Sequence, residues 1–340
     1  MISEATTKTI AVVGAGSWGT ALALQLARSG SSVRLGGIVE LDLLAAMVVD
    51  RENVRYLPGI PFPSNLRAYP DLGKCLAGVR DILVVVPSHG LRDTLTAALP
   101  FLSPESRVCW ATKGFELHSG KLPHQVAAEV LGKDRPVAVL SGPTFAKEVA
   151  EGLPTAMTIA SNDRDFGQAL AGAISGDNFR AYTSDDFIGV EVGGAIKNVL
   201  AIGAGMCDGL GFGANARVAL ITRGLVELTR LGVALGAKHE TMMGLAGMGD
   251  LVLTCTDNLS RNRRMGLALA SGKTVAEAQE EIQQVVEGVL AAEAVKEVAD
   301  KLGIEMPICH QVYRILYEGA SPREAVGALM GRQLKSEQEH

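Results

Sequence analysis

One lysine stands alone in a long apolar stretch of the chain. Between Glu191 and Asp208 the only formally charged residue is Lys197, and Asn198 lies beside it. Glycine, alanine and aliphatic residues fill the rest, which is typical of a helix buried inside a domain. Burial lowers the pKa of a lysine because a low dielectric disfavours the charged amine. The residue could therefore transfer a proton near neutral pH. The alternative is a structural lysine that is ion-paired or extends to solvent.

Other candidates follow apolar runs in the first half of the chain, at 81–87, 107–112, 136–141, 155–160 and 179–183. If these runs are strands of one sheet, ligands collect beyond their carboxyl ends. Residues 87–89, Lys113 and residues 141–146 come just past such ends. Lys113 would bring a positive charge to the ligand. Ser141 or Thr144, with Pro143 in the first turn of a helix, would make an anion site of backbone amides. A surface lysine and a plain helix cap are the alternatives.

A basic helix start follows in the second half. Ser260 is a predicted N-cap, which places Arg261, Arg263 and Arg264 in the first helical turn. Cations at this end oppose the helix dipole. The arrangement makes sense if an anion binds there, held by an arginine fork and free amides. The alternative is a solvated basic face screened by salt.

The first element that could position a ligand lies at residues 9–30. The sequence predicts a short strand, a glycine turn and an amphipathic helix, with Gly14, Gly16 and Gly19 forming G-x-G-x-x-G at the junction. The first glycine permits the tight turn, the second lets the backbone approach a pyrophosphate, and the third allows close packing of helix on strand. Between a strand and a helix this pattern indicates a dinucleotide site.

The second strand, at 32–35, bears on the choice of dinucleotide. An acid at its end would hold the ribose 2′-hydroxyl of NAD, but Gly36 and Gly37 stand there and the nearest acid is Glu40. The usual repulsion of a 2′-phosphate is therefore absent, so NADP is tolerated, yet no arginine attracts it. The sequence leaves NAD versus NADP open.

The two halves of the chain differ in periodicity. The first has valine- and isoleucine-rich runs without alternation, the pattern of parallel strands buried on both faces, at least for the first four runs. From about residue 184 helical periodicity replaces it, including two small-residue helices joined at 207–215 and a glycine-rich loop at 244–249 that delivers Asp250 and Thr254. We predict an α/β Rossmann-like, mostly parallel sheet domain over residues 1–187 and an all-α substrate domain over 188–340. Later helices should run to Leu302 and cover 307–317 and 321–330, before a frayed tail at 335–340.

Bulk properties restrict the class of protein. The 340 residues are 47% hydrophobic and 20% charged with a net charge of −5, so no basic surface for nucleic acid is indicated. Five scattered cysteines without a C-x-x-C pair predict neither disulfides nor a metal site, and favour a reducing compartment. The polar amino terminus does not resemble a secretory signal, and no apolar run approaches the roughly 18 residues of a membrane span. We expect a cytoplasmic protein without stable membrane insertion.

Six motifs of the chain belong together. They are 14–21 (GAGSWGTA), 111–116 (ATKGFE), 140–149 (LSGPTFAKEV), 189–199 (GVEVGGAIKNV), 245–256 (LAGMGDLVLTCT) and 260–262 (SRN). In this order they resemble NAD(P)-dependent sn-glycerol-3-phosphate dehydrogenase of the bacterial type. The resemblance covers residues 9 to 330. It implies NAD(P)H-dependent, reversible reduction of dihydroxyacetone phosphate to sn-glycerol 3-phosphate for phospholipid synthesis, in a homodimer.

The resemblance also implies roles for individual residues. Lys197 is the proton donor, and the residues lining the reacting centre with it are Lys113, Asp250, Thr254 and Asn198. The substrate is held by Lys113, Lys197 and Asp250, with its phosphate on Ser260, Arg261 and Asn262 and further contacts from Gly142 and Thr144. The cofactor contacts are Gly14, Gly16, Ser17, Trp18, Gly19, Lys113, Ala146, Arg261, Val285 and Glu287. Gly36 and Gly37 depart from the tryptophan and basic residue that relatives place near the adenosine.

Two other functions fit parts of the pattern. A dehydrogenase of a 3-hydroxy acid would share the two-domain plan and the helix lysine, but its anion is a carboxylate. A non-catalytic nucleotide sensor would need only the dinucleotide half, and it gives no reason for Lys113, Lys197, Asp250 and Arg261 to occur together. Oxidation of NADH or NADPH by dihydroxyacetone phosphate, compared with a 3-oxo acid, separates the three.

Overall fold

The structure is a computed structural model that describes residues 8–331. The expectations for the amino-terminal segment before Lys8 and for the 335–340 tail fall outside those residues. Contacts group the described chain into two units. The first unit contains the residues up to Thr112 together with Pro123–Leu140 and Thr144–Phe187. The second contains Lys113–Leu122, Ser141–Pro143 and the residues from Ile188 onward.

The first unit is built on an eight-stranded sheet with strand order β3-β2-β1-β4-β5-β6-β7-β8. Its strands are β1 Thr9–Val13, β2 Ser32–Gly36, β3 Leu66–Tyr69, β4 Asp81–Val84, β5 Arg107–Trp110, β6 Val137–Ser141, β7 Thr155–Ser161 and β8 Phe179–Ser184. Strands β1 to β6 pair in parallel with their neighbours, and β7 pairs in parallel with β8.

The pair β6 and β7 departs from the predicted parallel arrangement. At the end of β7, the Ser161 hydroxyl and the Asn162 amide both donate to the carbonyl of Val137, the first residue of β6. The two strands therefore run in opposite directions, and the expectation of parallel pairing was wrong at this point. A short helix between them, rather than a long crossover, allows the antiparallel return.

Helices connect the strands of the first unit. They are α1 Ser17–Arg28, α2 Leu41–Asp50, α3 Leu72–Leu76, α4 Leu91–Ala98, α5 Pro123–Leu131, α6 Ala146–Glu151 and α7 Arg164–Ile174, with 3-10 turns at Ser88–Gly90 and Leu99–Phe101. The sheet residues between them are almost completely buried, as Ile10, Leu83 and Ile159 illustrate. This burial on both faces explains the uninterrupted apolar runs of the sequence.

The second unit is helical, as predicted for residues 188 onward. Its helices are α8 Phe187–Gly209, α9 Gly213–Ala234, α10 His239–Met242, α11 Asp250–Thr256, α12 Arg261–Ala270, α13 Val275–Ile282, α14 Glu287–Leu302, α15 Pro307–Tyr317 and α16 Pro322–Met330, and a single π-helical turn at Leu245–Gly249 precedes α11. The predicted glycine-rich loop is thus helical, and it leads Asp250 directly into α11.

Helix α8 is the core of the second unit. Every residue from Gly189 to Cys207 is buried. At 23 residues it is, among the described helices, the one long and apolar enough to cross a membrane, so the expectation that no apolar run approaches that length was wrong. Most of it is buried inside the protein, as in the core helix of a globular domain.

Small residues let other backbones approach α8 closely. A Cβ atom on Gly205 would lie 2.1 Å from the carbonyl oxygen of Arg263, and one on Gly266 would lie 2.0 Å from that of Ile202. Helices α8 and α12 therefore cross with their backbones in contact. Likewise a Cβ on Gly193 would lie 2.2 Å from the Ala246 oxygen, where the π-helical turn meets α8. The glycines of α8 are contact points rather than flexible joints.

All five cysteines are free and buried. They are spread over both units, at Cys75 and Cys109 in the first and at Cys207, Cys255 and Cys309 in the second.

Candidate active site

The amine of Lys197 is bound by two groups of α11. Its Nζ donates to Asp250 Oδ1 at 2.5 Å and to Thr254 Oγ1 at 3.1 Å. Asp250 and Thr254 are one turn apart on α11, and Thr254 also donates to the Asp250 carbonyl at 2.6 Å. Lys197 is 7% exposed and Asp250 is fully buried. Lys197 is therefore buried, as predicted, and it is also ion-paired.

A second lysine meets the same carboxylate. Lys113 Nζ donates to Asp250 Oδ2 at 2.7 Å and to the Gly142 carbonyl at 3.3 Å. Lys113 and Gly142 lie in short segments that follow β5 and β6 in sequence but pack with the helices of the second unit. One buried carboxylate therefore holds two ammonium groups, one on each oxygen.

The position of Lys197 lowers its pKa to about 8. Burial is the largest cause, and the charge of Lys113 acts in the same direction, whereas Asp250 and, more weakly, Glu287 favour the charged form. An amine with a pKa near 8 exists in both protonation states at physiological pH. Such a group is suited to general acid and base catalysis.

Gly194 makes room for the Lys113 side chain. It lies one helical turn before Lys197 on α8, and a Cβ there would be 3.1 Å from both Lys113 Cγ and Ser141 Oγ. Ser141 is 2% exposed, and its hydroxyl has no hydrogen-bond partner among the described residues. Sequence reasoning did not identify Gly194, although a glycine three residues before a buried lysine signals a close neighbour.

Beside the lysines runs a chain of three hydrogen bonds between side chains and backbone. The Gly288 amide donates to Asn262 Oδ1 at 2.8 Å, and Asn262 Nδ2 donates to Asn198 Oδ1 at 2.8 Å. Asn198 Nδ2 then donates to Glu287 Oε2 at 3.2 Å. The chain joins α8, α12 and the start of α14, so three of the predicted site residues are brought together.

The three arginines at the start of α12 differ in burial and in their partners. Ser260 is the N-cap, and its hydroxyl accepts from the Arg263 amide at 3.2 Å. Arg263 is buried and donates to Asp208 Oδ2 at 2.5 Å, while Arg264 is exposed. Arg261, at the first helical position, has no hydrogen bond or ion pair with any described residue. Arg263 is therefore not available to an anion, because it stabilises the packing of α12 on α8.

The glycine turn of the first unit fits a dinucleotide. Gly14 has a φ of +122°, and a Cβ there would lie 2.1 Å from the Val85 oxygen. At Gly16 a Cβ would meet nothing within 4 Å, so the space above the turn is open. A Cβ on Gly19 would lie 1.8 Å from the Gly14 oxygen. Helix α1 has no side-chain cap, so its first-turn amides can face a phosphate.

The remaining predicted residues lie in both units. Ser17 begins α1, and Trp18 packs on the core with a buried Nε1 that has no partner among the described residues. Thr144 and Ala146 belong to the first unit, and α6 begins at Ala146, so Pro143 is not in its first turn as expected. Val285 is 49% exposed and lies just before α14 in the second unit.

No group of three or more His, Cys, Asp or Glu in residues 8–331 is arranged to hold a metal ion. A glycine turn suited to a dinucleotide on a mostly parallel sheet, together with a buried lysine of lowered pKa in a helical unit, is the arrangement of a nicotinamide-dependent oxidoreductase.

Comparison with known proteins identifies the family. The profile of the NAD-dependent glycerol-3-phosphate dehydrogenase N-terminus matches residues 9–167, and that of the C-terminus matches residues 186–327. The chain belongs to this family.

Individual relatives cover nearly the whole chain. The glycerol-3-phosphate dehydrogenase [NAD(P)+] of Idiomarina loihiensis is 54% identical over 97% of this chain and 99% of its own length. That of Pseudoalteromonas translucida is 55% identical over the same shares. The crystal structure of glycerol-3-phosphate dehydrogenase from Coxiella burnetii is 51% identical and covers 96% of this chain and 99% of its own, with a TM-score of 0.93. The predicted family, fold class and enzyme class are confirmed.

Proposed function

We propose that Lys197 is the acid–base group of the family reaction, the reversible reduction of dihydroxyacetone phosphate to sn-glycerol 3-phosphate with NAD(P)H. The observation that carries this assignment is the buried amine with a pKa of about 8, held by Asp250 and Thr254. Lys197 is 7% exposed, so little of its side chain is open to bulk water.

The chemistry of the reaction explains the need for such a group. When bound, NADH or NADPH would supply a hydride to the carbonyl carbon, and negative charge would develop on the carbonyl oxygen. The ammonium of Lys197 stabilises that charge and donates the proton that forms the hydroxyl group. In the reverse direction the neutral amine accepts the proton. Asp250 fixes the position of Nζ, and Thr254 directs it through a second hydrogen bond.

Lys113 contributes a second positive charge. It shares Asp250 with Lys197, so the two ammonium groups have the same counter-charge. Burial is the main cause of the lowered pKa of Lys197, and repulsion from Lys113 lowers it further. We assign Lys113 to both substrate and cofactor, and Asn198 to the reacting centre. Gly142, whose carbonyl accepts from Lys113, and Thr144 contribute further substrate contacts.

The start of α12 is the proposed phosphate site. The side chains of Arg261 and the exposed Arg264 both lack a partner among the described residues, but Arg261 stands at the first helical position, where Ser260 and Asn262 flank it. A guanidinium group and the free amides of a first helical turn together suit a phosphate dianion. Binding the phosphate would supply energy for positioning the carbonyl group.

The cofactor is NADH or NADPH. We assign its pyrophosphate to Gly14, Gly16, Ser17, Trp18 and Gly19, and further contacts to Lys113, Ala146, Arg261, Val285 and Glu287. The choice between the two cofactors stays a prediction to be measured. A Cβ on Gly36 would lie 2.8 Å from Cys75 Sγ, so an acid is difficult to accommodate at the end of β2.

At the level of the cell, we propose a cytoplasmic homodimer that supplies glycerol 3-phosphate for phospholipid synthesis, without binding nucleic acid or inserting stably into a membrane. Residues 1–187 bind the nucleotide in this proposal, and residues 188–340 bind the substrate and carry the acid–base lysine. The net charge of −5 supports the exclusion of nucleic acid.

Two alanine variants test the proposal by separating turnover from affinity. Lys197→Ala should reduce turnover by a factor on the order of a hundred or more, with cofactor affinity almost unchanged. Arg261→Ala should raise KM for dihydroxyacetone phosphate with a smaller effect on turnover. Steady-state oxidation of NADH and NADPH, measured separately by absorbance, gives both constants.

Each variant has a matched control. Arg264→Ala removes an exposed arginine from the same helical turn, and Lys301→Ala removes an exposed lysine from α14. Both controls should behave like the wild type. Near-normal turnover of Lys197→Ala would refute the acid–base assignment, and an unchanged KM in Arg261→Ala would refute the phosphate site.

A further inference from the structure

The hydrogen-bond chain through Asn262 and Asn198 has a direction that is fixed by its ends. It begins at the Gly288 backbone N–H, which can only donate, and it ends at the Glu287 side chain, which is an acceptor when ionised. In each asparagine between these ends, the amide oxygen accepts the hydrogen bond from the Gly288 side. The amide nitrogen donates the hydrogen bond toward the Glu287 side. The orientation of both amide groups therefore follows from the hydrogen-bond network.

This direction decides what the two amides can offer to a ligand. Each amide nitrogen carries two hydrogens and uses one within the chain, so Asn198 and Asn262 each retain one N–H. In the opposite orientation each would instead offer a carbonyl oxygen. The substrate bears a phosphate and develops negative charge at its reacting oxygen, so donors are favourable and acceptors are not.

The hydrogen-bonded residues are buried and tightly packed, which maintains the orientation of the two amides. Asn198 is 4% exposed and Asn262 is 8% exposed, so water competes little for their hydrogen bonds. A Cβ on Gly288 would lie 2.7 Å from both the Asn198 carbonyl oxygen and Asn262 Oδ1. Only glycine at this position lets the start of α14 approach the two amides.

We propose that Glu287 is a positioning residue for substrate recognition: with the Gly288 N–H it orients the amides of Asn198 and Asn262 so that both present N–H donors to the anionic substrate. This proposal rests on the assignment of Asn198 and Asn262 to the substrate. It gives Glu287 a role in substrate recognition that is separate from its assignment to the cofactor.

The first test compares two substitutions of Glu287 at saturating cofactor. Glu287→Ala removes the acceptor, so we expect KM for dihydroxyacetone phosphate to rise about ten-fold. Glu287→Gln keeps an acceptor oxygen, and its KM should stay within about two-fold of the wild type. The exposed Glu280→Ala on α13 is the control. Cofactor affinity is measured separately by quenching of protein fluorescence.

The outcomes show whether Glu287 acts by orienting the two asparagine amides or only by contacting the cofactor. If Glu287→Ala changes only the cofactor dissociation constant and leaves KM unchanged at saturation, the proposal is wrong. An equal rise of KM in Glu287→Ala and Glu287→Gln would also contradict it, because the charge and not the acceptor would then matter. Turnover by the wild-type enzyme tests the family reaction independently of these variants.

A reversal of the last hydrogen bond gives a second test. In Asn198→Asp the new carboxylate faces Glu287 acceptor to acceptor, which should lower the thermal midpoint and raise KM. Adding Glu287→Gln supplies an N–H that can donate to Asp at position 198. The double variant should recover most of the thermal midpoint but not KM, because aspartate has no N–H to offer. Full recovery of KM, or no recovery of the midpoint, would overturn the proposal.

Discussion

At the scale of single residues, the central feature is one carboxylate shared by two ammonium groups. Asp250 is fully buried, and Lys197 and Lys113 occupy its two oxygens at 2.5 and 2.7 Å. A buried charge without partners is strongly destabilising, whereas a paired one is tolerated. The carboxylate therefore favours the charged form of Lys197 and holds the amines of both lysines in place.

The pKa of Lys197 predicts opposite pH dependences for the two directions of the reaction. Reduction uses the ammonium form, so kcat should fall as the pH rises through about 8. Oxidation of sn-glycerol 3-phosphate uses the neutral amine, so kcat should rise over the same interval. Measurement of kcat against pH in both directions checks this. Profiles that bend in the same direction near pH 8 would argue against Lys197 as the group that titrates.

Asp250→Asn should destabilise the protein and shift that pH dependence. Asp250 favours the charged form of Lys197, so its removal lowers the pKa further and moves the bend to lower pH. Leaving two lysines without their partner should reduce the free energy of unfolding by on the order of 3 kcal/mol. Denaturant unfolding measures the loss.

The control for this variant is Asp300→Asn on α14. Asp300 pairs with Lys296 at 2.7 Å, but its side chain is 60% exposed. Exposed pairs contribute little, so the free energy of unfolding should hardly change. A similar loss of stability in both variants would contradict the special role of the buried carboxylate.

At the scale of elements, α8 positions the site because its small residues let other segments come close. Gly193 contacts the π-helical turn that leads into Asp250, Gly194 leaves room for Lys113, and Gly205 meets α12. The lysine and its partners thus lie on elements whose backbones touch, which leaves little freedom for the distances between their side chains.

Gly205→Ala should be strongly destabilising. Its Cβ would lie 2.1 Å from the Arg263 carbonyl oxygen, so α8 and α12 would have to separate. We expect a loss of about 2–4 kcal/mol in the free energy of unfolding. Gly327→Ala on the exposed face of α16 is the matched control, because nothing lies within 4 Å of its Cβ. That change should be neutral or stabilise the protein by up to about 1 kcal/mol.

Thermal or denaturant unfolding of both glycine variants gives the comparison. Equal stability of Gly205→Ala and the wild type would mean that the two helices can move apart at little cost. The contact of their backbones would then not be needed to fix the site.

The elements themselves were predictable to different degrees. The small-residue helix, the strands of the first unit except β3, and helices α14 to α16 follow from apolar periodicity and flanking glycine or proline. Strand β3 is only four residues long and has an exposed Arg67, so its pattern is too short to detect. The antiparallel direction of β7 relative to β6 depends on the path of the chain between the two strands. The apolar pattern within each strand does not contain that information.

The site residues show the same limit. Lys197 was detectable because it is an isolated charge in an apolar helix, and Lys113 because it follows a strand. Their shared partner could be anticipated only from the family resemblance, since Asp250 is 53 residues from Lys197 in sequence. The different roles of Arg261 and Arg263 depend on the position of Asp208 on another helix.

At the scale of the whole molecule, the two units contain different sets of candidate site residues. The first contains the glycine turn that fits a dinucleotide, and the second contains both lysines, Asp250 and the asparagine chain. Lys113 and Gly142 belong to the second unit although they follow strands of the sheet, so the boundary between the two units does not fall at a single point in the sequence.

Gly16→Ala tests whether the glycine turn of the first unit binds the pyrophosphate of the cofactor. A Cβ at this position meets no protein atom within 4 Å, so the thermal midpoint should not change. The methyl group would occupy the space into which we place the pyrophosphate, so the cofactor dissociation constant should rise about ten-fold or more. Fluorescence titration with NADH and NADPH measures it. An unchanged affinity would exclude the close approach of backbone and pyrophosphate at this glycine.

The buried thiols have a practical consequence for the enzyme. Burial raises the pKa of Cys75 and Cys255 to about 12 and raises the pKa values of Cys109, Cys207 and Cys309 as well. Alkylation and oxidation proceed through the thiolate, which is scarce at all five positions. The enzyme should therefore keep its turnover during exposure to iodoacetamide or dilute peroxide, and storage without a reductant should not inactivate it.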